Sequence, residues 1–154
     1  MMNNWFVSKI RYEKTMENGM VKRVCEPYLV DGLSFTEAEA RTIEKLQPFM
    51  SGEFLISDIS RAKYAEVVFS NDSKADKWFN ARVAFVALDE HSGSEKKAKS
   101  NILIQAADFD SAKVGIVEHM KLNNFSSADY VIDKIEETPI IDCFPYECAD
   151  NSEK

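Results

Sequence analysis

The chain reads itself twice, and that limits what it can fold into more than any single motif does. Trp5-Phe6 recurs as Trp78-Phe79, and the following Lys9-Ile10 and Tyr12 meet Arg82-Val83 and Phe85. Leu29-Val30 with Ser34-Phe35 then matches Leu103-Ile104 with Asp108-Phe109, one residue out of the first register. Ala38, Ile43, Glu44 and Leu46 fall on Ala112, Val117, Glu118 and Met120. After another small insertion, Phe54, Ile56, Asp58 and Ile59 fall on Tyr130, Ile132, Lys134 and Ile135. Matches that keep their order, separated only by loop-sized shifts, mark an internal duplication.

Each half reads as strand, turn, strand, helix, strand. Residues 5–14 are aromatic and β-branched, Glu17-Asn18-Gly19 is a hairpin signal because Asn-Gly tolerates positive φ, and residues 21–30 return as the partner strand. Thr36 is read as the cap of the first helix, placed for the amide of Glu39, whose carboxylate reaches back. Ala40, Ile43 and Leu46 supply an apolar stripe at helical spacing, and Pro48 limits the helix. A strand over 54–59 follows, with a further short one at 65–69. In the second half, strands over 78–88 and 98–106 flank a His91-Ser92-Gly93-Ser94 tip, and Asp110 is read as the cap of a helix running through Lys121. Strands over 130–135 and 140–144 finish the pattern around Thr138-Pro139.

The fold expected is α+β: an internally duplicated β-β-α-β(β) unit with antiparallel sheets, each covered by one helix. Residues 1–70 form the first repeat, 71–77 a linker, 78–147 a second repeat packed on the first, and 148–154 an acidic tail. One helix covers only one face of a sheet. The two halves are therefore expected to complete a core together or against another subunit, and a homo-oligomer is expected.

Composition narrows function mainly by exclusion. In 154 residues, 45% hydrophobic and 29% charged content with only 5 Gly and 4 Pro is ordinary globular usage, not collagen-like or low-complexity. No run approaches the roughly 18 apolar residues of a membrane span, and residues 1–11 lack a signal-peptide layout, so a cytoplasmic protein with no membrane partner is expected. The formal net charge of −7 argues against a dedicated duplex-DNA binder. That charge is uneven. The first thirty residues hold Lys9, Arg11, Lys14, Lys22 and Arg23 against Glu13, Glu17 and Glu26, whereas the end of the chain from Asp133 is strongly acidic.

Chemistry-bearing motifs are scarce. Cys25, Cys143 and Cys148 are odd in number, and a lone C-x4-C pair does not make a zinc site, so idle thiols in a reducing compartment are expected and no metal. His91 falls at a hairpin tip and His119 at a helix end, where a cation suits the dipole. There is no phosphate-binding glycine loop, nucleophile elbow or metalloprotease pair, so neither catalysis nor a cofactor is expected. Binding is favoured instead. Trp5, Phe6, Tyr12 and Tyr28 share a hairpin with the five cations, the mix with which single-strand binders stack bases and track phosphates. Arg61, Lys63 and Tyr64 have Glu137, Pro139 and Ile140 as counterparts, and a duplicated chain diverges where only one copy works. The expected ligand-binding residues are therefore Lys9, Arg11, Tyr12, Arg61, Lys63 and Tyr64.

Asn4-Trp5-Phe6, Arg11 to Thr15 through Gly19, Glu26 to Asp31 running into Leu33 to Arg41, and Ile59 to Tyr64 resemble a family of small uncharacterised proteins from Bacteroidetes and their phages. The similarity extends to about Tyr146 and implies a phage or mobile-element setting without assigning any site residue. The expected function is non-enzymatic sequestration of an anionic nucleotide ligand, either single-stranded nucleic acid or a signalling nucleotide. The alternative is a protein-binding module, such as an inhibitor of a host defence factor or a virion component, using the acidic second half or an exposed sheet edge to meet a host protein.

Overall fold

The structure, a computed structural model, describes residues 4–50 and 52–145. The expected acidic tail and Cys148 lie outside the described residues. The first hairpin joins β1 (Trp5–Thr15) to β2 (Val21–Asp31), antiparallel from Trp5 opposite Asp31 to Thr15 opposite Val21. Gly19 takes φ of 84° at its tip, and Asn18 Oδ1 accepts from the Met20 amide at 3.0 Å. Next come α1 (Phe35–Leu46), one 3₁₀ turn at Gln47–Phe49 that takes Pro48 at its start, and β3 (Phe54–Arg61) along the free side of β1. After β4 (Glu66–Val68) the pattern repeats as β5 (Lys77–Leu88), β6 (Glu95–Ala106), α2 (Phe109–Leu122), β7 (Tyr130–Glu137) and β8 (Asp142–Phe144). The fold is α+β and duplicated, each four-stranded sheet carrying one helix.

The sheets are not purely antiparallel. Their orders are β3-β1-β2-β8 and β4-β6-β5-β7, with β8 parallel to β2 and β4 parallel to β6. Strands joined by tight hairpins must run antiparallel, but β4 and β8 reach their partners by no hairpin. The short strands expected after β3 and after β7 both form, and each pairs in the sheet built by the other half of the sequence. Among the described residues the chain accordingly divides by contacts into one unit of residues 4–62 with 139–145 and another of residues 63–138. Residues 71–77, expected as a linker, lie inside the second of these, and Ala75 among them is buried.

The duplication reaches below the level of whole strands. The ladder between β1 and β3 shifts between Lys9 and Ile10, leaving Ser57 as an extra residue, and the ladder between β5 and β7 shifts between Arg82 and Val83, leaving Asp133. Those are matched positions in the two halves. Past each bulge, Ile59 and Ile135 return to the side of Ile56 and Ile132, which simple alternation would deny them.

In the second unit α2 lays Ala112, Ile116 and Met120 on Phe79, Ala81, Val83, Ile102 and Ile104. Gly115 lets the helix come close, since a Cβ there would stand 2.6 Å from Ile104 Cδ1. In the first unit Leu46 packs on Ile10 and Tyr28, with Tyr12, Met50, Phe54, Ile56 and Phe144 around them. Burying each such side chain contributes roughly 1.5–3 kcal/mol.

Both helices start earlier than their expected caps. Ser34, not Thr36, caps α1: its hydroxyl accepts from the Glu37 amide at 3.1 Å, and Glu37 Oε1 takes the Leu33 amide at 2.8 Å. Asp108, not Asp110, caps α2 through the Ser111 amide at 2.8 Å. Phe35 and Phe109 are already helical, so the oxygen that can serve the free amides lies one residue before each. Ser34→Ala should cost about 1 kcal/mol in urea unfolding, while Thr36→Ala stays near neutral. Ser8 is fully buried beneath α1, its Oγ without a partner, where the second unit has Ala81. Ser8→Ala should therefore raise stability, by about 1 kcal/mol in the same assay.

Candidate functional site

In the first unit a carboxylate organises an aromatic wall. Glu26 stands in the ladder opposite Ile10, and its Oε1 accepts from the Tyr12 hydroxyl at 3.0 Å and the Tyr28 hydroxyl at 3.4 Å. Phe144 of β8 stacks on Tyr28 with ring centroids 5.6 Å apart and planes 9° from parallel. With Phe49, which is 81% exposed, these rings wall a cleft of about 540 Å³ that also takes in Lys14, Met50, Glu53 and Asp142. A neighbouring cleft of about 810 Å³ shares Tyr12, Met50 and Glu53 and adds Arg11, Arg23, Ile43 and Phe54. Both volumes fall in the range of small-molecule sites.

Lys14, at the rim, stands directly opposite Lys22 in the β1–β2 ladder. Like charges facing each other across strands destabilise a sheet, and an anion between them reverses the sign of that interaction. Tyr28 is held neutral, its pKa pushed up by burial and then by the charge of Glu26. Tyr12 is raised by burial and by its hydrogen bond to Glu26. Both phenols thus remain donors, and the carboxylate between them locks the two rings.

The matched position in the second unit has different chemistry. Phe85, Ser100 and Ile102 replace Tyr12, Glu26 and Tyr28, and Ala87 faces Lys96 where Lys14 faces Lys22. A smaller cavity of about 370 Å³ lies there, bordered by Phe85, Ser100, Ile102, Met120 and Phe125. At its mouth His119 Nε2 meets Glu66 Oε2 at 2.5 Å.

The six residues expected to bind ligand are divided between the two units. Tyr12 and Arg11 line the clefts of the first unit. Lys9 is exposed on β1 between Pro27 and Asp58 in the ladder, on the opposite face from Ile10. Arg61 ends β3 with its guanidinium carbon 5.2 Å and 5.3 Å from the ring centroids of Phe6 and Phe35, a packing position. Lys63 and Tyr64 belong to the second unit, where burial and then Glu136 raise the Tyr64 pKa. Missed from that set were Lys14, Lys22, Glu26, Tyr28 and Phe144. Register carries the missing signal for the two lysines: once Asn18-Gly19 sets the turn, Lys14 must face Lys22.

His91 lies exposed in the turn between β5 and β6, and His119 in the last turn of α2, as expected. Cys25 is exposed, its Sγ 3.7 Å from Ser57 Oγ, while Cys143 is buried and its thiol is pushed up in pKa by burial and by Asp142. Among the described residues no three His, Cys, Asp or Glu side chains cluster as a metal site, and no helix is long and apolar enough to cross a membrane.

Fold and cleft together define a duplicated α+β protein in which one copy of a shared pocket carries the Tyr12–Glu26–Tyr28 group and the other sets Phe85, Ile102, Met120 and Phe125 beside Glu66, Ser100, His119 and Asn123. The chain belongs to the family described as a domain of unknown function, DUF4494, whose model matches residues 4–146. No curated protein matches it.

The raised phenols give the first unit a spectroscopic signature. In an alkaline titration followed by tyrosinate absorbance, Tyr12 and Tyr28 should ionise above the ordinary value of 10.0, and Glu26→Gln should move both back towards it. A raised phenol favours the folded state fully below pH 10. That contribution fades as pH climbs from there towards the folded-state values, so wild type should lose stability in this window more steeply than Glu26→Gln.

Proposed function

We propose that this protein is a non-catalytic binder of a planar, anionic ligand, a nucleotide or single-stranded nucleic acid, held in the cleft of the first unit. The observation that carries this reading is Lys14 at the rim of a cleft walled by Tyr12, Tyr28, Phe49 and Phe144, with Lys22 facing it across the β1–β2 ladder. Aromatic faces stack bases with little regard to sequence, and paired cations hold the phosphate. Glu53 and Asp142 on the same walls repel phosphate and accept N–H donors, which orients a base inward and its phosphate towards the lysines. Arg11 and Arg23 in the adjoining cleft suit a second phosphate.

The setting that goes with this reading is a phage or mobile element acting by sequestration in the host cytoplasm as a homo-oligomer, supported by the resemblance to proteins of Bacteroidetes and their phages. A polypeptide partner adding a strand to a sheet edge is disfavoured. The long edge strands β3 and β7 each carry a bulge, and the other edges, β4 and β8, are three residues long.

Native mass spectrometry of the protein purified from its own host should release a nucleotide-sized mass or a short oligonucleotide. The variant Lys14→Glu/Lys22→Glu should weaken binding of that cargo by at least about tenfold. For a single strand, the log–log salt slope of wild type should be steeper than that of Lys14→Ala/Lys22→Ala by about 1.4, at roughly 0.7 per phosphate contact. Unchanged affinity in both double variants would count against this site.

A further inference from the structure

The cavity in the second unit occupies the position that the proposed ligand cleft holds in the first, yet its lining excludes the same ligand. Phe85, Ile102, Met120 and Phe125 form its apolar wall beside Ser100, Glu66, His119 and Asn123, with the Phe85 and Phe125 rings 5.2 Å apart and tilted by 49°. The cation pair is gone, since the residue facing Lys96 is Ala87. What persists is a carboxylate on the short edge strand: Glu66 takes the place of Asp142, each being the first residue of a strand that runs parallel to the second strand of its hairpin. Glu66 Oε2 is oriented by His119 Nε2 at 2.5 Å, and Asn123 holds that histidine through its carbonyl at 2.9 Å. The Glu66 side chain keeps 49% of its surface exposed, so its carboxylate remains reachable at the cavity mouth.

We propose that this cavity is a second binding site, for a small arylalkyl ammonium whose ring lies among Phe85, Ile102, Met120 and Phe125 and whose charged nitrogen meets Glu66. The chemistry follows from the lining. A volume of about 370 Å³ accommodates one aromatic ring and a short tether. Two phenylalanine faces attract a cation through their quadrupoles, and a carboxylate fixed by a neighbouring donor supplies a directed charge-assisted acceptor. An anion is repelled by Glu66, and the imidazole that could meet it, His119, is already engaged with that carboxylate. A primary amine of this kind can be a free metabolite or the N-terminus of a polypeptide that begins with an aromatic residue.

The test uses the intact protein and three probes: 2-phenylethylammonium, 2-phenylethanol and phenylacetate. Binding is read from the Met120 methyl resonance, assigned by substitution, and by calorimetry. The ammonium should bind about tenfold more tightly than the alcohol, and phenylacetate most weakly. Glu66→Gln should bring ammonium and alcohol to near parity. Because that change also removes the contact with His119, a second variant stands beside it: Ala65→Leu, at an exposed position on the cavity wall, should abolish binding of all three while leaving the unfolding transition in place. No saturable shift with millimolar ammonium overturns the proposal, as does equal affinity for ammonium and alcohol in wild type or undiminished binding in Ala65→Leu. The tripeptide Phe-Gly-Gly separates the two sources: tighter binding of the tripeptide points to a polypeptide N-terminus, tighter binding of the free amine to a metabolite.

Discussion

One extra residue in the third strand of each unit, Ser57 in one and Asp133 in the other, decides which side chains meet the helix. Strict alternation from Phe54 would send Asp58 and Ser60 towards α1, and from Tyr130 it would send Lys134 and Glu136 towards α2. Burying those groups without partners would cost several kcal/mol in each unit. The bulge instead turns Ile59 and Ile135 inward and the charges outward, so the third strand of each sheet turns apolar side chains towards its helix. Helix placement, the clefts beside the helices and the shielding of the β3 and β7 edges all follow from that shift of register.

On this shared frame the two copies have separated chemically at a handful of positions. Tyr12, Glu26 and Tyr28 form a hydrogen-bonded group where Phe85, Ser100 and Ile102 do not, and Thr42 and Ser8 stand where the other unit has Ile116 and Ala81. Buried polar groups lower stability unless satisfied, and the apolar set shows that the fold does not require them. Several residues kept in both copies, Trp5 with Trp78 and Leu29 with Leu103 among them, are buried. The divergent ones gather around the clefts, which is where a chain that needs only one copy of an activity can change.

Much of the architecture was legible in the chain itself. Hairpins and the duplication rest on local signals, Asn18-Gly19 among them, that do not depend on distant partners. The stripe expected on α1 was misread: Ala38, Thr42 and Leu46 are buried, and of the expected Ala40, Ile43 and Leu46 the first two are exposed. The caps were misplaced by two residues at both helix starts, although matching Ser34-Phe35 to Asp108-Phe109 already put an oxygen-bearing residue at the same point of each repeat. The bulge too was written in spacing, since Phe54, Ile56, Ile59 and Tyr130, Ile132, Ile135 share intervals of two and then three. The cleft was less legible because it depends on non-local pairing. Phe144 joins Tyr28 only through β8, and the loss of counterparts at Arg61, Lys63 and Tyr64 cannot distinguish ligand contact from packing, which is what Arg61 does between Phe6 and Phe35.

The exchange of edge strands also bears on how the chain is made. The β4 strand finds its place beside β6 soon after it is synthesised, but the free side of β2 is paired by Asp142–Phe144, at the far end of the described sequence. On a ribosome the second unit can close while the first still waits with one sheet edge and the wall of its cleft unmade. Closing that long loop carries an entropic cost that grows only slowly with its length, and it comes last. Translation order therefore keeps the aromatic cleft unfinished until Asp142–Phe144 has emerged, so a chain terminated before that strand would lack the Phe144 wall of the cleft.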